Sequence, residues 1–151
     1  MQEERLGFAG TPERITTRQR TAVQREVTRL LDELAPERPP ARRDAPAPEV
    51  KLHRAPGRCI LQAAATAVSV SWFPARRDED TLGEMLVISW RGVVSVPGAA
   101  RSTQAEPVPL DTLLLHPVES DDGAWQWRPE DGRPVLETSA LACYCRGLLQ
   151  H

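Results

Sequence analysis

No stretch of the 151 residues approaches the roughly 20 consecutive apolar residues that cross a bilayer, so no membrane-spanning helix is expected. The opening MQEERLGFAG carries acids and no apolar core segment, so no secretory signal is visible and the cytoplasm is the expected compartment. Cysteine is sparse, and the odd count of three (Cys59, Cys143, Cys145) suits a reducing compartment better than a disulfide framework. Lysine is almost missing. Lys51 is the only one, and the richness in arginine, alanine and proline matches the codon usage of a GC-rich, bacterial genome. A positive excess is also lacking: the net charge of −2 argues against a general nucleic-acid binder, which needs cations to meet phosphate.

Catalytic signatures are missing as well. There is no G-x-S-x-G elbow, no H-E-x-x-H and no phosphate loop. Cys143 and Cys145 form a C-x-C that a helix would point about 200° apart, a poor start for the C-x₂₋₄-C pairs that zinc prefers. Pairing Cys59 or Cys143 with His116 as a nucleophile and base rests on no spacing at all. The acids Asp78-Glu79-Asp80 and Glu119 to Asp122 fall in turns, where carboxylates are ordinarily solvated. No catalytic residue, metal ligand or cofactor is therefore expected, and a small metal-dependent or cysteine-based enzyme is the weakest of three readings.

What is present is the material of one soluble globular chain, 40% hydrophobic and 26% charged. Its centre is Thr66 to Val96. Val68, Val70 and Trp72 alternate with serines, the period of a strand with one buried face. Glu84 to Trp90 is apolar and β-branched enough for a central strand, and Val93 to Val96 continues in kind, either after a turn at Arg91-Gly92 or within one long strand. The charged stretch Pro74 to Gly83 between them is an exposed loop.

Upstream, Thr11-Pro12-Glu13 reads as a helix start and Pro36 as its stop. Between them Val23, Val27, Leu30, Leu31 and Leu34 form an apolar stripe, which predicts a long amphipathic N-terminal helix. Residues 36–56, rich in proline, alanine and arginine, read as a linker. Within its end, Val50, Leu52 and His53 suit a short edge strand. The chain thus divides into a helical arm (1–35), the linker (36–56) and a body (57–151). Twelve of the 19 cations and nine of the 21 acids precede residue 59, leaving that part at +3 and the remainder at −5. Such asymmetry suits a basic arm docking on an acidic surface, its own or a partner's.

In the body, Arg58 to Gln62 gives a strand, Pro97 to Pro109 a loop, and Asp111 to Val118 a strand ending near Pro117. Asp121-Asp122-Gly123 is a turn, followed by Ala124 to Arg128 with Trp125 and Trp127 on one face. After a second turn at 129–132 come Val135-Leu136 and a short C-terminal helix. Thr138 is expected to cap it, with Leu141, Cys145, Leu148 and Leu149 as its apolar face. The fold class is therefore α+β: an antiparallel sheet of about five to seven strands with a long N-terminal and a short C-terminal helix.

Arg54-Ala55-Pro56-Gly57-Arg58 is an R-x-x-x-R, and Asp78-Glu79-Asp80-Thr81-Leu82-Gly83 partly resembles the D-x-S-x-x-G that follows it in PilZ domains. Those are small β-barrels that bind cyclic di-GMP. The resemblance implies Arg54, Arg58 and Asp78 as ligand-binding residues of a cyclic-dinucleotide sensor, although Asp80 stands where the family has serine. The reading that leads is a non-catalytic accessory or assembly protein. It would bind a protein partner, or a second copy as a homo-oligomer, through Val23, Val27, Leu30, Leu31 and Leu34 of the helix and a sheet face bearing Trp125 and Trp127.

Overall fold

The structure, a computed structural model, describes residues 15–35, 50–76, 78–94 and 106–150. It is an α+β fold: one antiparallel sheet of seven strands with a helix before it and a helix after it. Helix α1 spans Thr17–Glu33. The strands are β1 (Lys51–Ala55), β2 (Arg58–Gln62), β3 (Thr66–Pro74), β4 (Gly83–Arg91), β5 (Val108–Glu119), β6 (Trp125–Pro129) and β7 (Leu136–Glu137). Helix α2 (Thr138–Gly147) ends in a tighter turn at Leu148–Gln150. Each strand pairs with the next in sequence, so the sheet is a plain meander.

Helix α1 is not long. It has 17 residues, about 25 Å at 1.5 Å per residue. It starts at Thr16 rather than near Thr11, which lies outside the described residues. The Thr16 hydroxyl accepts from the Gln19 N–H at 3.1 Å, and the Gln19 side chain accepts from the Thr16 N–H at 2.9 Å. Threonine followed three residues later by glutamine is a capping box.

Three strand boundaries also differ from the sequence pattern. Strand β5 does not stop near Pro117; it runs from Val108 through Pro109 and Pro117 to Glu119. Its ladder with β4 ends at Met85 and Leu115, so Pro117 has β6 on one side and no ladder on the other, where a missing N–H is tolerated. Pro109 stands opposite Trp90 beyond an irregularity in the register at Ser89/Trp90. Val93 and Val94 are not strand, and 95–96 lie outside the described residues. Gly92, at φ +105, turns the chain out of β4. The Gln62 side chain then holds it: Val94 N–H donates to Gln62 Oε1 at 3.0 Å, and Gln62 Nε2 donates to the Gly92 carbonyl at 3.1 Å. Finally, the short edge strand expected at Val50, Leu52 and His53 is present as β1, at one edge of the sheet, but runs on to Ala55; of the stretch read as linker, 36–49 lie outside the described residues.

Residues paired across strands share a face, which sorts the sheet into two surfaces. One carries Cys59, Leu61, Val68, Val70, Trp72, Met85, Val87, Leu113, Leu115 and Trp127. Both helices pack on it, α1 through Val23, Val27, Leu30, Leu31 and Leu34 and α2 through Leu141, Ala142 and Cys145. All are buried, and this is the core. Burying a leucine or valine stabilises by about 1.5–3 kcal/mol, so the α1 stripe is a major part of what holds the fold.

Candidate functional site

The α1 stripe proposed from sequence as a partner surface is fully covered by the chain's own sheet and α2; Val27, Leu30 and Leu34 are 0% exposed. A polar seam locks the two helices beside it. Thr138 does not cap α2, whose N-cap is Glu137 without a side-chain bond. Its hydroxyl instead donates to Glu26 Oε2 at 2.5 Å and accepts from Trp127 Nε1 at 3.1 Å. Ser139 donates to Glu33 Oε1 at 2.8 Å, and Arg146 donates to the Glu33 carbonyl.

Trp72, Trp125 and Trp127 all lie on the covered face, and Trp127 is completely buried within it. Trp125 is half-buried at the margin of the core. Arg54 and Arg58 point to opposite faces: Arg54 pairs in register with Cys59 and Arg58 with Ser71. Arg54 reaches Asp32 of α1 at 3.2 Å, and Asp78 is exposed in the β3–β4 loop. The two arginines implied by the cyclic-dinucleotide resemblance thus lie on opposite faces of the sheet, and the strand order shows no pairing of β1 with β7. Cys59 and Cys145 are buried in the core, and burial pushes their thiols up to about 11 and about 12 respectively. Among the described residues no group of three or more metal-ligating side chains occurs, and no helix is long and apolar enough to cross a membrane.

The second face is different. It carries Ile60, Ala67, Ser69, Ser71 and Phe73, then Leu86, Ile88 and Trp90, then Thr112, Leu114, His116 and Val118. Neither helix contributes to its small cluster of Ile60, Ala67, Val94 and Trp90, where Trp90 Nε1 donates to Ser69 Oγ at 2.9 Å. Away from that corner, Leu86, Ile88, Leu114 and Val118 are half-buried and Phe73 is 52% exposed. Cations flank the apolar band. Lys51 and Arg58 stand on one side and Arg128 on the other, while Glu84 and the edge residue Glu137 are the acids of this face. Among the described residues Lys51, Arg58 and Arg128 make no ion pair.

At the Arg128 end the face runs into a groove of about 570 Å³ lined by His116, Arg128, Pro129, Glu130, Gly132, Arg133, Pro134 and Val135. His116 and Arg128 are cross-strand partners. Arg133 is fixed in the β6–β7 connection: its Nε meets Asp131 Oδ2 at 2.9 Å and its Nη1 donates to the Tyr144 hydroxyl at 3.1 Å. The bond to Tyr144, and then the Asp131 charge, raise the guanidinium's pKa above its ordinary value. Sequence reasoning missed this face. Its signal was the other half of the alternation in β4 and β5, Leu86 and Ile88 against Leu114, where residues on both faces are apolar.

No family model matches the chain, nor does any curated protein or solved structure.

Proposed function

We propose that the chain is a non-catalytic accessory or assembly protein of a bacterial cytoplasm, binding a protein partner through the open face of its sheet. The observation that carries this reading is an apolar band with cationic flanks that no helix among the described residues covers: Phe73, Leu86, Ile88 and Leu114 between Lys51 and Arg58 on one side and Arg128 on the other. Apolar side chains rimmed by charge are the ordinary composition of a protein-binding surface. The excess of cations over acids on this face selects a partner segment with an apolar centre and acidic flanks. A second copy fits less well, because it brings the same excess of cations to the contact. Helix α1 enters this reading as a wall of the body, since its stripe is already covered.

The test uses isotope-labelled protein and two designed amphipathic peptides of equal length, one built from leucine and glutamate and one from leucine and lysine. The leucine–glutamate peptide should shift the amide resonances of β2 to β5 and lose affinity at least about tenfold with Arg58→Glu, one charge-assisted contact's worth. The lysine version should not bind. Resonance shifts confined to the helices, or none with either peptide, would sink the reading. Sedimentation of wild type beside Phe73→Asp covers the remaining occupant: a wild-type dimer that the substitution splits would assign the face to a second copy and overturn the acidic partner.

A further inference from the structure

The free edges of the sheet differ from one another among the described residues. Strand β7 is two residues long, too short to template another strand. Residues 108–113 of β5 have β4 on one side and no neighbour on the other. There Pro109 lacks an N–H, and the Thr112 N–H already donates to Asp111 Oδ1 at 2.9 Å. Strand β1 is left open. Its five residues pair with β2 in unbroken register, without a bulge or an internal proline, and no second strand faces it. The turn sets the direction of its backbone groups. Pro56 and Gly57, with Gly57 at φ +70, join β1 to β2, so Ala55 and Arg58 flank the turn and exchange both bonds. The Trp72 N–H donates to the Gly57 carbonyl at 2.8 Å, which fixes the same alternation from the β3 side. Ala55, His53 and Lys51 therefore face β2. Leu52 and Arg54 turn their N–H and C=O groups outward, where neither has a backbone partner among the described residues.

The side chains around this edge state what it would take. Strands β1 and β2 carry Lys51, Arg54 and Arg58 and no acid. Arg54 is answered by Asp32 of α1, but Lys51 and Arg58, on the open side of the sheet, make no ion pair among the described residues. Leu52, on the opposite side, is 37% exposed. We infer that β1 is a site of strand addition for an extended acidic segment of a partner protein. Backbone bonds to Leu52 and Arg54 attach the segment; its acids lie on the side of Lys51 and Arg58 and its apolar residues on the side of Leu52. A second β1 is a poor occupant. Pairing two copies edge to edge gathers Lys51 and Arg58 of both on one face, with no acid on either hairpin. The surface is a strand edge and not the open face, so either can fail without the other.

The test titrates the intact, isotope-labelled chain with a short peptide alternating valine with glutamate, and with its valine–lysine counterpart. The glutamate peptide should bind with a dissociation constant of about 1 mM or below, and the lysine peptide should not bind. Binding should slow amide hydrogen exchange at Leu52 and Arg54, more than at Lys51, His53 and Ala55, whose bonds to β2 exist already. Leu52→Pro removes one outward N–H and leaves the ladder to β2 intact, so it should weaken binding at least about tenfold. Lys51→Glu should do the same, and Phe73→Asp should change nothing, which separates the edge from the open face. The exchange measurement needs no variant and decides the matter even if Leu52→Pro does not fold. Slow exchange of Leu52 and Arg54 in the free chain would mean that the edge is already filled, and would overturn the site. So would no binding of the glutamate peptide, binding that leaves those two amides unprotected, or equal binding of the lysine peptide. Sedimentation covers the remaining occupant: a wild-type dimer that Leu52→Pro splits would assign the edge to a second copy and overturn the acidic partner.

Discussion

Trp72 on β3 and Trp127 on β6 meet edge to face, with ring centroids 5.9 Å apart and planes at 79°, although β4 and β5 lie between their strands. The two rings reach across the helix-covered face over Met85 and Leu115. This contact joins the first half of the meander to the second without passing through the ladder. Aromatic pairs in this geometry couple by about 0.5–1.5 kcal/mol beyond their burial. A double-mutant cycle of Trp72→Leu and Trp127→Leu, read from urea denaturation, should return a coupling in that range. Strict additivity would mean the rings touch without stabilising each other.

Trp127 also anchors a buried polar chain, its indole N–H donating to Thr138 and the Thr138 hydroxyl to Glu26 of α1. Thr138 is 2% and Trp127 0% exposed, so the indole N–H finds no water if the hydroxyl is removed, while Glu26 keeps its contact with Arg29 at 3.6 Å. Thr138→Val keeps the shape and orphans the indole donor. A loss of about 1–3 kcal/mol is expected. Thr138→Ser, which retains the hydroxyl, should recover most of it; equal losses for both variants would show that the methyl group and not the bond is what counts.

Gly83 opens β4 at φ +135, beneath the ring of Trp72. A Cβ there would stand 2.6 Å from the Phe73 carbonyl oxygen and 2.7 Å from the Trp72 ring. Backbone and a packed indole cannot move aside cheaply, and the φ itself is strained for any L side chain. Gly83→Ala should therefore cost about 1–3 kcal/mol and lower the thermal midpoint, whereas Gly123→Ala, with nothing near its Cβ position, should cost only the backbone strain of φ +86. Thermal melts of the two variants side by side check this. A milder effect at Gly83 than at Gly123 would remove the packing argument.

The α+β class, the antiparallel sheet and the β5–β6 hairpin were legible because each rests on a local pattern: alternation at Val68, Val70 and Trp72, turn residues at Asp121 to Gly123, a stripe of i, i+3 and i+4 spacing in α1. What lay across the stripe was not legible. A helix stripe looks the same whether it covers its own sheet or another chain's, and only the register that sends Cys59, Val70, Val87 and Leu113 to one side settles it. The path of β5 was hidden for a related reason. Pro117 forbids a central strand, but whether it has a neighbour on both sides depends on where β4 ends. The open face escaped because β4 is apolar on both sides, which erases the alternation that marks one side as exposed. Arg128 and Arg133 carry no sequence signal at all. Arg133 meets Tyr144 only once α2 packs beside the β6–β7 connection.

The three cysteines separate into two kinds, and pH reads the difference. Burial pushes Cys59 to about 11, with Arg54 pulling the other way, and pushes Cys145 to about 12, with Cys59 adding to the rise; Cys143 is exposed. In the unfolded chain both buried thiols titrate near 9.0. Between that value and the folded ones the native state holds protons that the unfolded state has released. Stability must then fall with rising pH, since its slope follows the protons bound unfolded minus those bound folded. The contribution is complete below pH 9 and is lost as pH climbs towards 11 and 12. Urea midpoints taken from pH 8 to 10.5 should decline, and the decline should flatten in a Cys59→Ala, Cys145→Ala double variant. At pH 8 a thiol reagent should label Cys143 at once and the other two only at the rate of unfolding, because thiolate and access are both withheld from them. Labelling of all three at one fast rate in the folded protein would mean that the helices do not seal the covered face.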